Sequence, residues 1–296
     1  MPKLKNEIIE KDDLIEYLDS CSDFSFELSV LKMLRESDIS CEHGGLYEDP
    51  VTSKSREFDI RAKKTISNYR IRLAIECKNI RDYFPVLVSC VPRHEVESYH
   101  QIALVSESKL SGHLAIVSLH QSRAKILSIR NEYSIYKVNE PVGKSTAQVG
   151  RALDGNISAN DGELYDKWSQ SLSSAADLVS RVYWDGDEDD DEDFYFSTVI
   201  PIIVVPNERL WSVLYDDNGN RVQEPSPAER CSCFVDKDYE MGTKMAGARM
   251  WLSHIEIMTF DGLKSFVESN LKSDEGISQL FSKEGISKAM QLESEK

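Results

Sequence analysis

Two alternating segments, separated by a short polar turn, dominate the first third of the chain. In residues 56–63, apolar Phe58 and Ile60 alternate with charged residues, as in a half-buried β-strand. Residues 69–78 repeat the alternation, with isoleucine or leucine at every second position from 71 to 75. The polar pair Ser67-Asn68 between them is typical of a turn. The pattern predicts an antiparallel hairpin.

Further helices and strands are expected on both sides of this hairpin. Apolar residues at helical spacing predict helices at residues 7–19, from Asp23 to about Glu36, and from Asp161 to about Trp184. The other predicted elements are a strand at 39–47, an apolar run at 84–90, a helix from about His94, a Gly/Ser/Asn-rich connection at 143–162, strands at 199–205, 210–215 and 254–259, and a helix from 262. Together they predict a mixed α/β fold with a mixed sheet flanked by helices.

Charge is unevenly distributed along the chain. The 296 residues carry a formal net charge of −16, which by itself argues against a nucleic-acid partner. Residues 54–93, however, contain ten basic and four acidic side chains, so this segment carries +6 and the remainder −22. This asymmetry is more informative than the total, and it favours a local contact with an anion.

Several classes of protein are excluded by composition and patterning. The longest apolar run, residues 199–205, is too short to span a bilayer. The first residues lack the apolar segment of a secretory signal, and the six cysteines include no CxxC pair. We therefore expect a cytoplasmic protein with neither a membrane span nor a disulfide framework.

The hairpin also carries the residues that favour a catalytic site. Asp59 on its first strand and Glu76 on its second are expected on one face of the sheet, and Lys78 lies two residues further along that face. Carboxylate pairs are the ligands that Mg²⁺ takes together with waters and phosphate oxygens, and a lysine beside them adds a positive charge for an anionic substrate. The three residues therefore predict metal-assisted hydrolysis of a phosphodiester.

This arrangement resembles the PD-(D/E)xK nuclease superfamily, whose members share a restriction-endonuclease-like fold. The matching segments are 56–60 (REFDI) and 73–79 (LAIECKN), although Phe58 stands where the family name has proline. The resemblance implies that Asp59 and Glu76, with the Cys77 carbonyl, bind Mg²⁺ or Mn²⁺ and that Lys78 is the catalytic lysine. It also implies that Glu27, on the preceding helix, binds a second ion or orients a water.

The resemblance covers roughly residues 20–105, and beside it we expect a division of the chain and further site residues. Residues 1–140 would form the restriction-endonuclease-like core with its N-terminal helices, and residues 141–296 an α/β extension that completes the sheet or binds a partner. Basic residues of the hairpin are expected to make sequence-independent phosphate contacts, namely Arg56, Lys63, Arg70 and Arg72. Two residues after the third apolar run, His100 and Gln101, are candidates for lining the site.

The expected activity is therefore cleavage of DNA, in restriction or phage defence, by a homodimer or together with a defence-system partner protein. Two alternatives stay open: a non-catalytic nucleic-acid- or protein-binding subunit on the same fold, and a nuclease directed at RNA. Asp59, Glu76 and Lys78 would also be compatible with ordinary charge pairing across a hairpin. Residues 185–193, eight of which are acidic, are expected to form a solvated loop, and one hypothesis is that this loop occupies the basic groove in the resting enzyme.

Overall fold

The computed structural model describes residues 6–20, 22–49, 52–106, 124–160, 162–185, 194–242 and 248–295. Its fold is mixed α/β, with a large mixed sheet flanked by helices, as predicted. The helices are α1 (Lys11–Ser20), α2 (Phe24–Glu36), α3 (Gly162–Val182), α4 (Phe260–Asn270), α5 (Asp274–Leu280) and α6 (Lys283–Ser294).

The strands come from both halves of the chain. They are β1 (Ser40–Glu48), β2 (Ser55–Ile66), β3 (Tyr69–Cys77), β4 (Val86–Pro92), β5 (Tyr99–Ser106), β6 (Ala124–Arg130), β7 (Pro141–Arg151), β8 (Ile157–Ala159), β9 (Phe194–Val205), β10 (Leu210–Leu214), β11 (Ser226–Pro227), β12 (Arg230–Glu240) and β13 (Arg249–Thr259). Single turns of 3₁₀-helix lie at Glu95–Glu97 and Asn131–Tyr133.

The predicted hairpin is confirmed as the pair β2 and β3. The two strands are antiparallel, with Ile60 opposite Ile75 and Ile66 opposite Tyr69 at the turn. The other edge of β3 pairs in parallel with β9, whose Ile202, Ile203 and Val204 are fully buried. Because β3 is covered on both edges, it lies inside the sheet.

The second half of the chain completes the same sheet. The main path runs β1-β2-β3-β9-β13-β12-β7-β4-β10-β11, while β5 pairs with β9 and β6, and β8 pairs with β7. Strands of the predicted segments 1–140 and 141–296 are thus neighbours within one sheet.

Two sequence-based expectations are wrong. The helix predicted from about His94 is a single 3₁₀ turn followed by β5, because the apolar residues at 102–105 pack between β6 and β9. The connection predicted at 143–162 contains β7, which pairs with β4 and β12. Gly143 is required there, because a Cβ atom at that position would lie 2.4 Å from Cys233 Sγ.

Helix α3 lies across the face of β3 and β9. Small residues on its buried side, Ser171, Ser174 and Ala175, let the helix backbone approach the sheet. The Ser171 hydroxyl donates to the carbonyl oxygen of Ala74 on β3 at 3.2 Å. This contact fixes the helix over the strand that carries Glu76.

In the parts of the chain that the structure describes, no helix has both the length and the apolar composition needed to cross a membrane.

Candidate active site

Asp59 and Glu76 lie side by side where β2 and β3 pair, as the hairpin pattern predicted. Asp59 precedes Ile60 by one position and Glu76 follows Ile75 by one, and Ile60 and Ile75 are the registered pair next to them. Asp59 Oδ2 accepts a hydrogen bond from the backbone N–H of Cys77 at 2.8 Å. This bond fixes the Asp59 carboxylate against the end of β3.

A lysine that the sequence analysis did not single out joins these two carboxylates. Lys167 Nζ on α3 lies 2.6 Å from Asp59 Oδ2 and 3.3 Å from Glu76 Oε2. A signal for it existed in the sequence, because Lys167 lies between Leu164 and Trp168 at the border of the apolar stripe of α3. A lysine in that position faces the sheet rather than the solvent.

The Glu76 carboxyl is almost completely buried, with 1% of its surface exposed. Burial, and then the nearby Asp59 carboxylate, raise the pKa of Glu76 well above its ordinary value. Its Oε1 atom is buried and has no hydrogen-bond partner among the described residues. An unpaired buried carboxylate oxygen is costly, so the site favours an additional donor or cation.

Glu27 from α2 reaches the same cluster. Burial and the Asp59 carboxylate raise the pKa of Glu27, while a 3.4 Å contact with His43 Nε2 on β1 opposes this rise. For Lys167, burial alone would lower the pKa, but the carboxylates of Asp59 and Glu76 raise it above its ordinary value. The position of Glu27 beside Asp59 agrees with the sequence-based expectation.

Lys78 pairs with two carboxylates other than Asp59 and Glu76, and both belong to the same neighbourhood. Its Nζ lies 3.4 Å from Asp23 Oδ2 and 3.2 Å from Glu163 Oε2. Glu163 lies one turn before Lys167 on α3, so Lys78 and Glu76 contact neighbouring positions of the same helix. Asn79, the residue after Lys78, donates its backbone N–H to Asp23 Oδ1 at 2.7 Å and turns the chain toward α2.

Carboxylates outnumber cations in this site. The linked side chains are five acids and two lysines, namely Asp23, Glu27, Asp59, Glu76 and Glu163 with Lys78 and Lys167. Such an excess of negative charge is the usual surrounding of a hard divalent cation.

The side chains of the site decide whether a divalent cation can bind there. Among the described residues, no three Asp, Glu, His or Cys side chains form a ready ligand group. Mg²⁺ needs only one or two protein carboxylates beside waters and substrate oxygens. Asp59 and Glu76 meet this requirement, because they already share one cationic group and Glu76 Oε1 has no other described partner.

Arg70 and Arg72 are not at a nucleic-acid surface, which corrects their predicted role. Both guanidinium groups are buried and pair with Asp185, through Arg70 Nη1 to Oδ1 at 2.8 Å and Arg72 Nη1 to Oδ2 at 2.7 Å. The prediction of a solvated acidic loop at 185–193 is wrong for its first residue, because Asp185 is completely buried. Residues 186–193 lie outside the described residues.

Arg56 and Lys63 lie on β2 beside the site strands. Arg56 Nε pairs with Asp49 Oδ2 at 2.9 Å and keeps about a third of its side chain exposed. Lys63 is half-buried, opposite Ser40 on β1 and Arg72 on β3. Their contact with phosphates remains a prediction.

His100 and Gln101 are not part of the carboxylate site. His100 is buried on β5, with Nδ1 3.0 Å from Ser134 Oγ and Nε2 2.8 Å from the Leu280 carbonyl oxygen. The Gln101 amide donates to Ser128 Oγ and accepts from the backbone N–H of Trp251. These contacts replace the predicted site-lining role with a structural one, because β5 is a strand and not the expected helix.

Comparison with models of protein families, with curated proteins and with solved structures gives no match in any of the three.

Proposed function

We propose that this protein is a nuclease that hydrolyses DNA phosphodiester bonds with Mg²⁺ or Mn²⁺, on a restriction-endonuclease-like core of the PD-(D/E)xK type. The observation that carries the proposal is the pair Asp59 and Glu76, which share a single cationic group while Glu76 keeps a buried oxygen without a described partner. Restriction or phage defence in the cytoplasm, by a homodimer or with a defence-system partner, is the setting that we propose.

In this proposal Asp59, Glu76 and the Cys77 carbonyl hold the ion. When bound, the ion supplies Lewis-acid chemistry, polarising the phosphoryl group and making water a stronger nucleophile. Glu27 lies near Asp59 and contacts His43, and in this proposal it accepts a proton from water or binds a second ion.

The two lysines have separate roles in this proposal. Lys167 holds the carboxylates of Asp59 and Glu76 together and limits their repulsion before the substrate binds. Lys78 lies at the rim, where its ammonium group is placed to meet the substrate phosphate. Phosphate contacts further along the DNA would come from Arg56 and Lys63.

The experiment compares cleavage of supercoiled plasmid, linear duplex, single-stranded DNA and RNA with Mg²⁺, Mn²⁺ or a chelator. We expect metal-dependent cutting of DNA that Asp59→Asn and Glu76→Gln each reduce by at least about a hundredfold. Glu57→Gln is the matched control, because it removes one carboxylate from an exposed position on β2, and it should keep wild-type activity. Cutting by Glu76→Gln at the wild-type rate would contradict the assignment, and exclusive cutting of RNA would identify the RNA-directed alternative.

One observation favours the second candidate, a non-catalytic binding subunit. Lys167 already occupies the position between the two carboxylates, as a permanent cation would in a site that needs no metal. Calorimetric titration with Mn²⁺ separates the two functions. An ion that binds wild-type protein but not Asp59→Asn supports the nuclease, whereas the absence of binding to both supports the subunit.

A further inference from the structure

A cavity lies beside Lys78, between the segment that follows β3 and the beginning of α3. Its volume is about 360 Å³, and its walls include Lys78, Ile80, Tyr83, Phe84, Gln148 and Glu163. The cavity therefore shares Lys78 and Glu163, which pair at 3.2 Å, with the rim of the carboxylate site. A group bound there would be a direct neighbour of the reacting phosphate.

Gln148 on β7 presents a polar group that the protein leaves unused. The residue is only 2% exposed, yet its Oε1 atom has no hydrogen-bond partner among the described residues. A buried amide oxygen without a partner is unfavourable, and proteins rarely keep one unless a bound molecule completes it. Gln148 is one of the residues that line the cavity.

Aromatic rings form another part of the wall. The Phe84 ring packs directly on Gly150 of β7, where an added Cβ atom would lie 2.4 Å from the ring. Tyr83 is 67% exposed, and Arg81 Nη1 donates to its hydroxyl at 2.6 Å. Aromatic rings next to a buried amide suit a flat heterocycle better than a flexible or spherical ligand.

We propose that this cavity binds one unstacked nucleobase of the substrate, next to the scissile phosphate, and that Gln148 reads its edge. The inference rests on the proposed nuclease function. Adenine is the base that fits best, because a glutamine amide pairs in a bidentate manner with adenine N6 and N7. Taking a base out of the stack costs a few kcal/mol, which stacking on the aromatic wall would offset.

The test measures binding of 2′-deoxyadenosine 5′-monophosphate and of 2-deoxyribose 5-phosphate, which lacks the base, by calorimetry and NMR titration. We expect the nucleotide to bind at least about tenfold more tightly than the sugar phosphate. Gln148→Leu, which keeps the side-chain volume, should weaken nucleotide binding about tenfold and leave sugar phosphate binding unchanged. Gln223→Leu, at an exposed glutamine outside the cavity wall, is the control and should bind both as wild type does.

The outcomes separate this inference from the nuclease proposal. If the protein cuts DNA but Gln148→Leu binds the nucleotide as wild type does, the cavity is not a base site while the nuclease stands. If the nucleotide binds through Gln148 but neither metal binding nor cleavage is found, the base site stands and the nuclease fails. Equal affinity of wild type for nucleotide and sugar phosphate, or no nucleotide binding, overturns the inference. Equal thermal stability of Gln148→Leu and wild type excludes misfolding as the cause of any loss.

Discussion

Asp185 shows how one residue can hold a sheet and a helix together. Its Oδ1 and Oδ2 atoms accept hydrogen bonds from Arg70 and Arg72 on β3, and Oδ2 also accepts from Ser197 Oγ on β9. Burial alone would raise the pKa of Asp185, but the guanidinium groups of Arg72 and Arg70 lower it below its usual value. Asp185 therefore supplies a carboxylate that both buried arginines share.

We expect Asp185→Asn to lower the free energy of unfolding at pH 7 by about 3–5 kcal/mol, because removing one partner leaves buried charge uncompensated. An acid with a lowered pKa stabilises the fold above its unfolded-state pKa, so the difference from wild type should shrink as the pH falls below 3.8. Urea denaturation at several pH values measures both effects. Asp217→Asn, at an exposed position, is the control, and an equal loss there would contradict the prediction.

His100 makes stability depend on pH in mildly acidic solution. Burial lowers the pKa of His100 from 6.5 to about 4, although its hydrogen bond to the Leu280 carbonyl opposes the shift. Between these values the unfolded chain binds a proton that the folded chain does not, so the free energy of unfolding should fall as the pH drops from 6.5 to 4. The loss should be about 3 kcal/mol.

Denaturation of wild type and His100→Gln over this pH range tests the assignment. Glutamine can still form hydrogen bonds but does not titrate, so the variant should show a flatter pH profile than wild type. Parallel profiles for the two proteins would show that His100 is not the group responsible.

At the scale of elements, the last three helices begin in the same way. Each starts with a serine or threonine whose hydroxyl accepts from the backbone N–H of a glycine three residues later: Thr259 with Gly262, Ser273 with Gly276, and Ser282 with Gly285. The hydroxyl satisfies an otherwise free N–H of the first turn. The glycines allow these helix ends to approach their neighbours closely.

The three glycines differ in what lies next to them, and this predicts a ranking. A Cβ atom at Gly262 or Gly276 would lie about 2 Å from a backbone carbonyl oxygen, whereas at Gly285 it would meet the side chains of Tyr133 and Ile129. Alanine at Gly262 or Gly276 should therefore destabilise the protein by about 1–3 kcal/mol or more, and alanine at Gly285 by less. Gly162→Ala, at the exposed start of α3, should be neutral or stabilising. Thermal unfolding of the four variants checks the order, and equal effects at all four positions would contradict it.

The carboxylate pair was predictable from sequence, and the lysine between them was not. Asp59 and Glu76 are neighbours because of strand alternation and hairpin register, both of which are local properties of the sequence. Lys167 reaches them only because α3 packs on β3 through its serine and alanine residues, a contact between segments far apart in the chain.

At the scale of the whole molecule, the class of fold was predictable but the path of the sheet was not. The apolar run at 199–205 indicated a buried strand, yet nothing local indicated that β9 would pair with β3 rather than with a strand of its own half. The expectation of a connection at 143–162 failed because Gly143 and its polar neighbours form β7, where close packing against Cys233 requires glycine. The burial of Arg70 and Arg72 likewise depends on Asp185, more than a hundred residues away.

A divalent cation should stabilise the whole protein if the proposed function is right. An ion that binds only the folded state adds about 2.7 kcal/mol at a hundred times its dissociation constant. We expect Mn²⁺ to raise the urea midpoint of wild type and of the control Glu57→Gln, and to leave Asp59→Asn unchanged. A midpoint that rises equally in all three proteins would show binding elsewhere.

The order of strands also determines when the site can form during translation. The hairpin with Asp59 and Glu76 leaves the ribosome early, but its parallel partner β9 and the helix that carries Lys167 are synthesised much later. Pairing across so long a stretch of chain is slow compared with local contacts. A nascent chain that ends near residue 140 therefore has both carboxylates but neither the strand nor the lysine that completes their surroundings, and such a fragment should be inert toward DNA.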